Sequence, residues 1–249
     1  ILLLLCLLFC SITLINAQSV STYSFAASTG TFTPISGGTS VATSISAADF
    51  LGDIRTSVSI PIGFTFVFGG TNYSSVIAGS DGFLSFNTSA TTTGANNLTS
   101  STSARRPLVA PLWDDLSGAG GSASYVTTGS SGSRIFTIEW LNWKWNYNAT
   151  GSTISFQVKL YEGTNVVEFS YRQESGTINT GSSGASIGLA GTLTGAGNFL
   201  SLNNSSSSPT ASSSTETTTI VTKPATGQIY SFTPPPLCTG TPTTGVITG

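Results

Sequence analysis

The chain has 249 residues, no methionine, no histidine, only 7% charged residues and a net charge of −2. Its eight basic residues are scattered, which excludes a patch that tracks phosphates and with it a nucleic-acid partner. Low charge combined with many aromatic and β-branched residues excludes a disordered chain, and the abundance of Ser, Thr, Gly and Asn describes a solvent-exposed β-protein with many turns.

The chain opens on Ile1-Leu2-Leu3-Leu4-Leu5-Cys6-Leu7-Leu8-Phe9-Cys10, followed by Ile12, Leu14 and Ile15. A bilayer span takes roughly 20 apolar residues, more than this run provides. It ends at Ala17-Gln18, with a small residue where signal peptidase cuts. Residues 1–17 therefore read as a secretory signal peptide truncated at its start, an uncleaved anchor being the alternative. Residues 18–233 are expected to form one all-β domain, an antiparallel two-sheet β-sandwich of jelly-roll type with little or no helix.

The first clear strand is 60–68, where Ile62, Phe64, Phe66 and Phe68 share a face and Gly69-Gly70 follows as a turn. The chain returns through 73–77, turns at Asp81-Gly82 and enters a strand at 83–86. Residues 107–113 are apolar but bracketed by Pro107 and Pro111, which predicts an edge or short strand because proline cannot donate to a ladder. The longest strand is expected at 134–147. Around Glu162-Gly163-Thr164-Asn165 a hairpin is expected with Leu160 facing Val167, Val158 facing Phe169 and Phe156 facing Tyr171. The same register sets Lys159 opposite Glu168 on the other face, so one alignment serves an apolar face and a charge pair. Further strands are expected at 185–190, 199–202, 217–221 and 228–232, with long Ser/Thr/Asn-rich loops at 88–103 and 203–214. Residues 234–249 begin with the stiff run Pro234-Pro235-Pro236. Cys238, unpaired once Cys6 and Cys10 leave with the signal peptide, then reads as the opening of a second, truncated domain.

The order of these pieces resembles the nidogen-like extracellular domain and related modules in large secreted proteins of the Bacteroidetes. The resemblance rests on Ile62-Gly63-Phe64-Thr65-Phe66, Ser80-Asp81-Gly82-Phe83-Leu84-Ser85-Phe86, Leu108-Val109-Ala110-Pro111-Leu112-Trp113-Asp114-Asp115 and Phe136-Thr137-Ile138-Glu139-Trp140. It continues through Ser155-Phe156-Gln157-Val158-Lys159-Leu160, Val167-Glu168-Phe169-Ser170-Tyr171 and Ile187-Gly188-Leu189. It covers roughly Phe50 to Leu189, and Asp81 stands where the family pattern commonly has Asn. The resemblance implies an extracellular, non-catalytic module of matrix, adhesion and surface proteins, without naming a ligand. It also implies that Cys238 begins an immunoglobulin-like or fibronectin-like repeat.

The absence of histidine removes the usual Ser-His-Asp and Cys-His arrangements and the commonest zinc ligand. No glycine-rich loop joins a strand to a helix to cradle phosphate. Paired carboxylates of a sandwich glycosidase would have to come from Asp114, Asp115, Glu139 and Glu168, and Glu168 is already matched to Lys159. Asp114-Asp115 ends an apolar strand beside a glycine-rich loop. With Asp81 these residues are candidate oxygen ligands for calcium, the alternative being carboxylates that cap backbone amides in a turn.

Within Trp140-Leu141-Asn142-Trp143-Lys144-Trp145-Asn146-Tyr147, strict alternation puts Phe136, Ile138 and Trp140 on one face. It puts Trp143, Trp145 and Tyr147 on the other. These three are candidate ligand-binding residues, since an exposed aromatic row stacks on sugar rings; the alternative is that loops cover them. Asn72, Asn87, Asn97, Asn148, Asn203 and Asn204 begin Asn-x-Ser/Thr triplets, which chance supplies in a chain this rich in Ser and Thr.

The expected function is thus a non-catalytic module of a secreted or cell-surface protein, used for adhesion or ligand display. Its partners would be an extracellular protein or a glycan, with no cofactor unless calcium, no membrane span after signal cleavage, and further domains downstream. A carbohydrate-binding module that targets a downstream hydrolase is the alternative, and a β-sandwich glycosidase a more distant one.

Overall fold

The structure is a computed structural model that describes residues 18–52, 54–91, 94–100, 104–179 and 184–236. The expected signal peptide and Cys238 lie outside the described residues. Among the described residues, fourteen antiparallel strands form two seven-stranded sheets. The first runs, edge to edge, β1 (Ser24–Thr29), β14 (Gln228–Thr233), β10 (Val167–Gln173), β9 (Ile154–Tyr161), β8 (Ile135–Trp143), β7 (Ser122–Thr128) and β2 (Thr39–Ser40). The second runs β13 (Ala211–Ser212), β12 (Phe199–Leu202), β11 (Ser186–Ala190), β6 (Leu108–Trp113), β5 (Phe83–Ser85), β4 (Thr71–Gly79) and β3 (Ile60–Phe68). Among the described residues, helix is confined to one turn, α1 (Ala47–Phe50), and a 3₁₀ turn at Val20–Thr22. No helix among the described residues is long and apolar enough to cross a membrane.

The core lies between the sheets. Phe136, Ile138 and Trp140 of β8, Phe156, Val158 and Leu160 of β9, and Phe169 and Tyr171 of β10 are buried there. They share one cluster with Ile62, Phe66 and Phe68 of β3 and Ile187 and Leu189 of β11. The β9–β10 hairpin has the expected register: Val167 pairs with Leu160, Phe169 with Val158 and Tyr171 with Phe156. On the opposite face Lys159 Nζ reaches Glu168 at 3.0 Å.

The strand at 107–113 is not at an edge. It lies between β5 and β11, with both faces covered. Proline is tolerated because Pro111 sits where the register with β11 slips, between Ser186 and Gly188, and beyond the paired part of β5. The slip lets Val109 and Leu112 face the central core, while Leu108, Ala110 and Trp113 enter a second apolar cluster under Leu98. The loop that carries Leu98 is held from below. Buried Arg106 donates to the carbonyls of Gly191, Leu98, Leu193 and Asn198, and the Glu216 carboxylate accepts the Leu98 and Thr99 N–H groups.

Two further expectations need correction. Residues 217–221 form no strand; Ile220 makes a single bridge to Ala185. Strand β8 ends at Trp143 rather than at 147, because its register with β9 breaks between Trp140 and Trp143, where Asn142 has φ 58°.

The connection from β1 to β2 shapes the outer face of the first sheet. These strands are its two edges, six strand spacings apart, or roughly 29 Å. The ten steps from Thr29 to Thr39 span at most about 36 Å, so residues 30–38 must cross the sheet as a nearly extended strap. A buried polar pair pins it: Gln157 Nε2 donates to Thr33 O at 2.8 Å and to Glu139 at 2.7 Å, and Ile35 N–H donates to the Glu139 carboxylate. The Arg172 guanidinium lies 5.2 Å over the Phe32 ring.

Candidate functional site

All six residues singled out above converge on one end of the sandwich, but in roles that differ from those expected. The register break after Trp140 inserts an extra residue, so alternation fails and Trp143 returns to the core side, paired with Ile154. Trp143 and Trp145 are both fully buried. The Trp143 indole N–H donates to Ser122 O at 2.8 Å, and its ring lies so close to Gly118 that a Cβ there would stand 2.6 Å from it. Only Tyr147 of the expected row is exposed, at 47%. A stacking platform of Trp143, Trp145 and Tyr147 is therefore not present.

Trp145 instead anchors the acidic turn. Its indole N–H donates to Asp114 Oδ2 at 2.7 Å, and Gly184 N–H donates to the same oxygen at 2.7 Å. Asp115 N–H donates to Asp114 Oδ1 at 2.8 Å. With N–H donors on both oxygens, Asp114 is a capping carboxylate, which was the alternative to calcium. Asp114 N–H donates to Asp81 O at 3.1 Å, and Tyr147 N–H to Asp115 O at 3.0 Å. Among the described residues no group of three or more His, Cys, Asp or Glu side chains is placed to hold a metal ion. Of the calcium candidates Asp81, Asp114 and Asp115, Asp114 has both oxygens engaged, by the Trp145 indole and by the Gly184 and Asp115 N–H groups.

The three aspartates nevertheless share a pocket of about 350 Å³ with Ile54, Gly94, Ala95 and Asn96. Its position follows from the fold. Asp81 sits in the β4–β5 turn, where Gly82 has φ 79° and a Cβ would stand 2.0 Å from Leu112 O, so only glycine fits. Asp114 and Asp115 follow β6, and Ile54, 59% exposed, lies in the loop before β3. The pocket is acidic at its base, and Ile54 gives its wall an exposed apolar side chain.

The other candidate carboxylates are engaged elsewhere. Glu139 is buried under the strap, and burial raises its pKa above the ordinary carboxylate value, against the pull of Gln157, the Ile35 N–H and Arg172. Glu168 pairs with Lys159 and accepts the Tyr161 hydroxyl. Composition gave no sign of the strap or of its buried pins. The available signal was that Glu139 and Gln157 are cross-strand neighbours on the outward face of two strongly apolar strands.

A model of the family described as NIDO related matches residues 22–234. No curated protein and no solved structure matches the chain.

Proposed function

The chain belongs to the nidogen-related family, and from that premise we propose that it is a non-catalytic extracellular module that binds or displays a ligand through the loops at one end of its sandwich. The observation that carries this reading is the use of its carboxylates. Asp114 and Glu216 hold backbone amides, Glu139 holds the strap, and Glu162, Glu168 and Glu174 are paired with Arg134, Lys159 and Arg172. Acid–base chemistry requires carboxylates that face a substrate; these six are engaged by protein groups, and of the pocket's three aspartates Asp114 is among them while Asp81 and Asp115 also line it. The surface assigned to recognition is the pocket of Asp81, Asp114, Asp115, Asn96 and Ile54, with exposed Tyr147 on the adjoining turn. Such a rim of one aromatic and one aliphatic side chain around polar groups suits a protein or glycan ligand.

The test is solid-phase binding of the chain to a panel of extracellular-matrix proteins and polysaccharides, alongside protease shaving of intact cells that express it. We expect shaving to remove the module and Tyr147→Ala or Ile54→Ser to weaken binding without lowering the melting temperature. A module resistant to shaving on intact cells, or binding indifferent to both variants, would overturn the reading.

A further inference from the structure

Residues 203–206, which leave β12, and residues 217–222, which lie between β13 and β14, run side by side without forming a ladder. Between them lies a hollow of about 280 Å³. A second hollow of about 530 Å³, which reaches Gln173, Ser175 and Thr177, adjoins it across Val221 and Thr222, residues that line both. Together they make one elongated groove, and it shares no lining residue with the acidic pocket.

The groove is rich in polar groups that the protein leaves open. Ile220 exchanges main-chain hydrogen bonds of 2.9 and 3.1 Å with Ala185, so its neighbours Thr219 and Val221 direct their N–H and C=O groups the other way. Both residues line the first hollow. Among the described residues, the hydroxyls of Thr217, Thr219 and Thr222 and the Nδ2 of Asn203 have no protein partner. The Asn203 amide is nevertheless fixed, because its Oδ1 accepts Asn204 Nδ2 at 2.8 Å and the Thr210 N–H at 3.0 Å. No charged side chain lines the first hollow. The second has one, Lys223, whose Nζ donates to Glu174 O and Gly176 O at 2.8 Å each.

We propose that this groove binds a neutral glycan chain. Other ligand classes lack the groups they require. Phosphates and carboxylates need a cation, and Lys223 already serves two carbonyls. Divalent ions need carboxylates, bases need an aromatic face, and the lining holds neither. An acyl chain needs apolar surface, but Ile220 belongs to the core cluster and is only 5% exposed. An extended peptide needs a longer edge. Here the outward main-chain groups come from Thr219 and Val221, and the Ser205 hydroxyl closes the end by donating to Thr222 O at 2.5 Å. A sugar hydroxyl donates one hydrogen bond and accepts two. The groove answers with N–H and amide donors, carbonyl acceptors and hydroxyls that act as either, while exposed Val221 gives the C–H face of a ring an aliphatic contact. With no aromatic ring to stack on, each sugar unit binds weakly, and repetition along a polymer supplies the avidity.

Native gel electrophoresis of the chain through galactomannan, mixed-linkage β-glucan, mannan or soluble starch tests the proposal, with alginate and heparin as anionic probes. At least one neutral polymer is expected to retard the chain, and neither anionic polymer is. Val221→Arg fills the wall common to both hollows and should abolish the retardation. Thr219→Val exchanges a free hydroxyl for a methyl group and should weaken binding of that polymer's oligosaccharides about tenfold in calorimetric titration, the worth of one hydrogen bond. Both positions are exposed, so the melting temperatures should match the parent's. No retardation by any of the neutral polymers overturns the proposal, as does retardation by alginate or heparin alone, or retardation that Val221→Arg leaves intact. Retardation lost in Tyr147→Ala but kept in Val221→Arg assigns the glycan to the acidic pocket, which overturns this site and leaves the reading of that pocket standing.

Discussion

Asp114 Oδ2 accepts the indole N–H of Trp145 at 2.7 Å, and both side chains are buried. This bond joins the turn after β6 to the turn after β8, so the end of each sheet is held by the other. The Asp114 carboxylate also accepts the Gly184 and Asp115 N–H groups. Asp114→Asn replaces one acceptor oxygen with an NH₂ that must face an N–H donor. A loss of about 1–3 kcal/mol is expected, read from urea unfolding. Calcium is expected to leave the melting temperature of the parent unchanged, because these N–H groups already occupy the oxygens. A rise with calcium that disappears in Asp114→Asn would contradict this account.

The aromatic residues of the same segment should separate sharply. Trp145→Ala opens a cavity in a fully buried site and is expected to cost about 3–5 kcal/mol. Tyr147→Ala, at an exposed position, should stay within about 0.5 kcal/mol. Equal effects in thermal melts would mean that the two side chains share an environment, as strict alternation along the strand requires.

That contrast marks the limit of what the amino-acid pattern reveals. The β9–β10 hairpin was legible because its apolar face and its Lys159–Glu168 pair demand the same register. The two-sheet architecture followed from alternation in strands such as β3. Alternation fails wherever one residue is inserted: after Trp140 it sends Trp143 back to the core, and at Pro111 it admits a proline to an internal strand. Strand β7, Ser-Ala-Ser-Tyr-Val-Thr-Thr, carried too little apolar contrast to be seen, although it pairs with β8 over seven residues. The acidic pocket was legible as a cluster of residues but not as a geometry, since two of the Asp114 partners, the Trp145 indole and the Gly184 N–H, are distant in sequence.

Glu139 and Glu162 should limit stability from opposite sides of the pH scale. Burial raises the Glu139 pKa above its unfolded value of about 4.3. Its stabilising contribution is therefore complete below that unfolded value and is lost as pH rises through the folded one. Glu162, hydrogen-bonded by Arg134, is lowered to about 2. Its contribution is present above the unfolded value and is lost as pH falls toward 2. Glu139→Gln should flatten the fall of the melting temperature as pH rises above the unfolded carboxylate value of about 4.3, while leaving the acid limb unchanged. An unaltered slope on the neutral side would show that the strap is not pinned by a titrating carboxylate.

Arg106 should matter more than any exposed ion pair. Its guanidinium serves four carbonyls from two loops, that of Leu98 and the β11–β12 connection, while the residue is 3% exposed. Lysine keeps the charge but offers a single nitrogen, which cannot reach the Gly191, Leu98, Leu193 and Asn198 oxygens together. Each carbonyl left buried without a donor costs about 1–3 kcal/mol, so Arg106→Lys is expected to lose at least about 2 kcal/mol. The loss should be local before it is global, because Leu98 covers the second apolar cluster through the loop that Arg106 and Glu216 hold. Limited proteolysis should therefore cut near residues 94–100 in Arg106→Lys at temperatures where the two sheets, followed by tryptophan fluorescence, are still folded. Cleavage that begins only as the sheets unfold would mean that the loop is held by Leu98 packing alone, and that the guanidinium contributes charge rather than geometry.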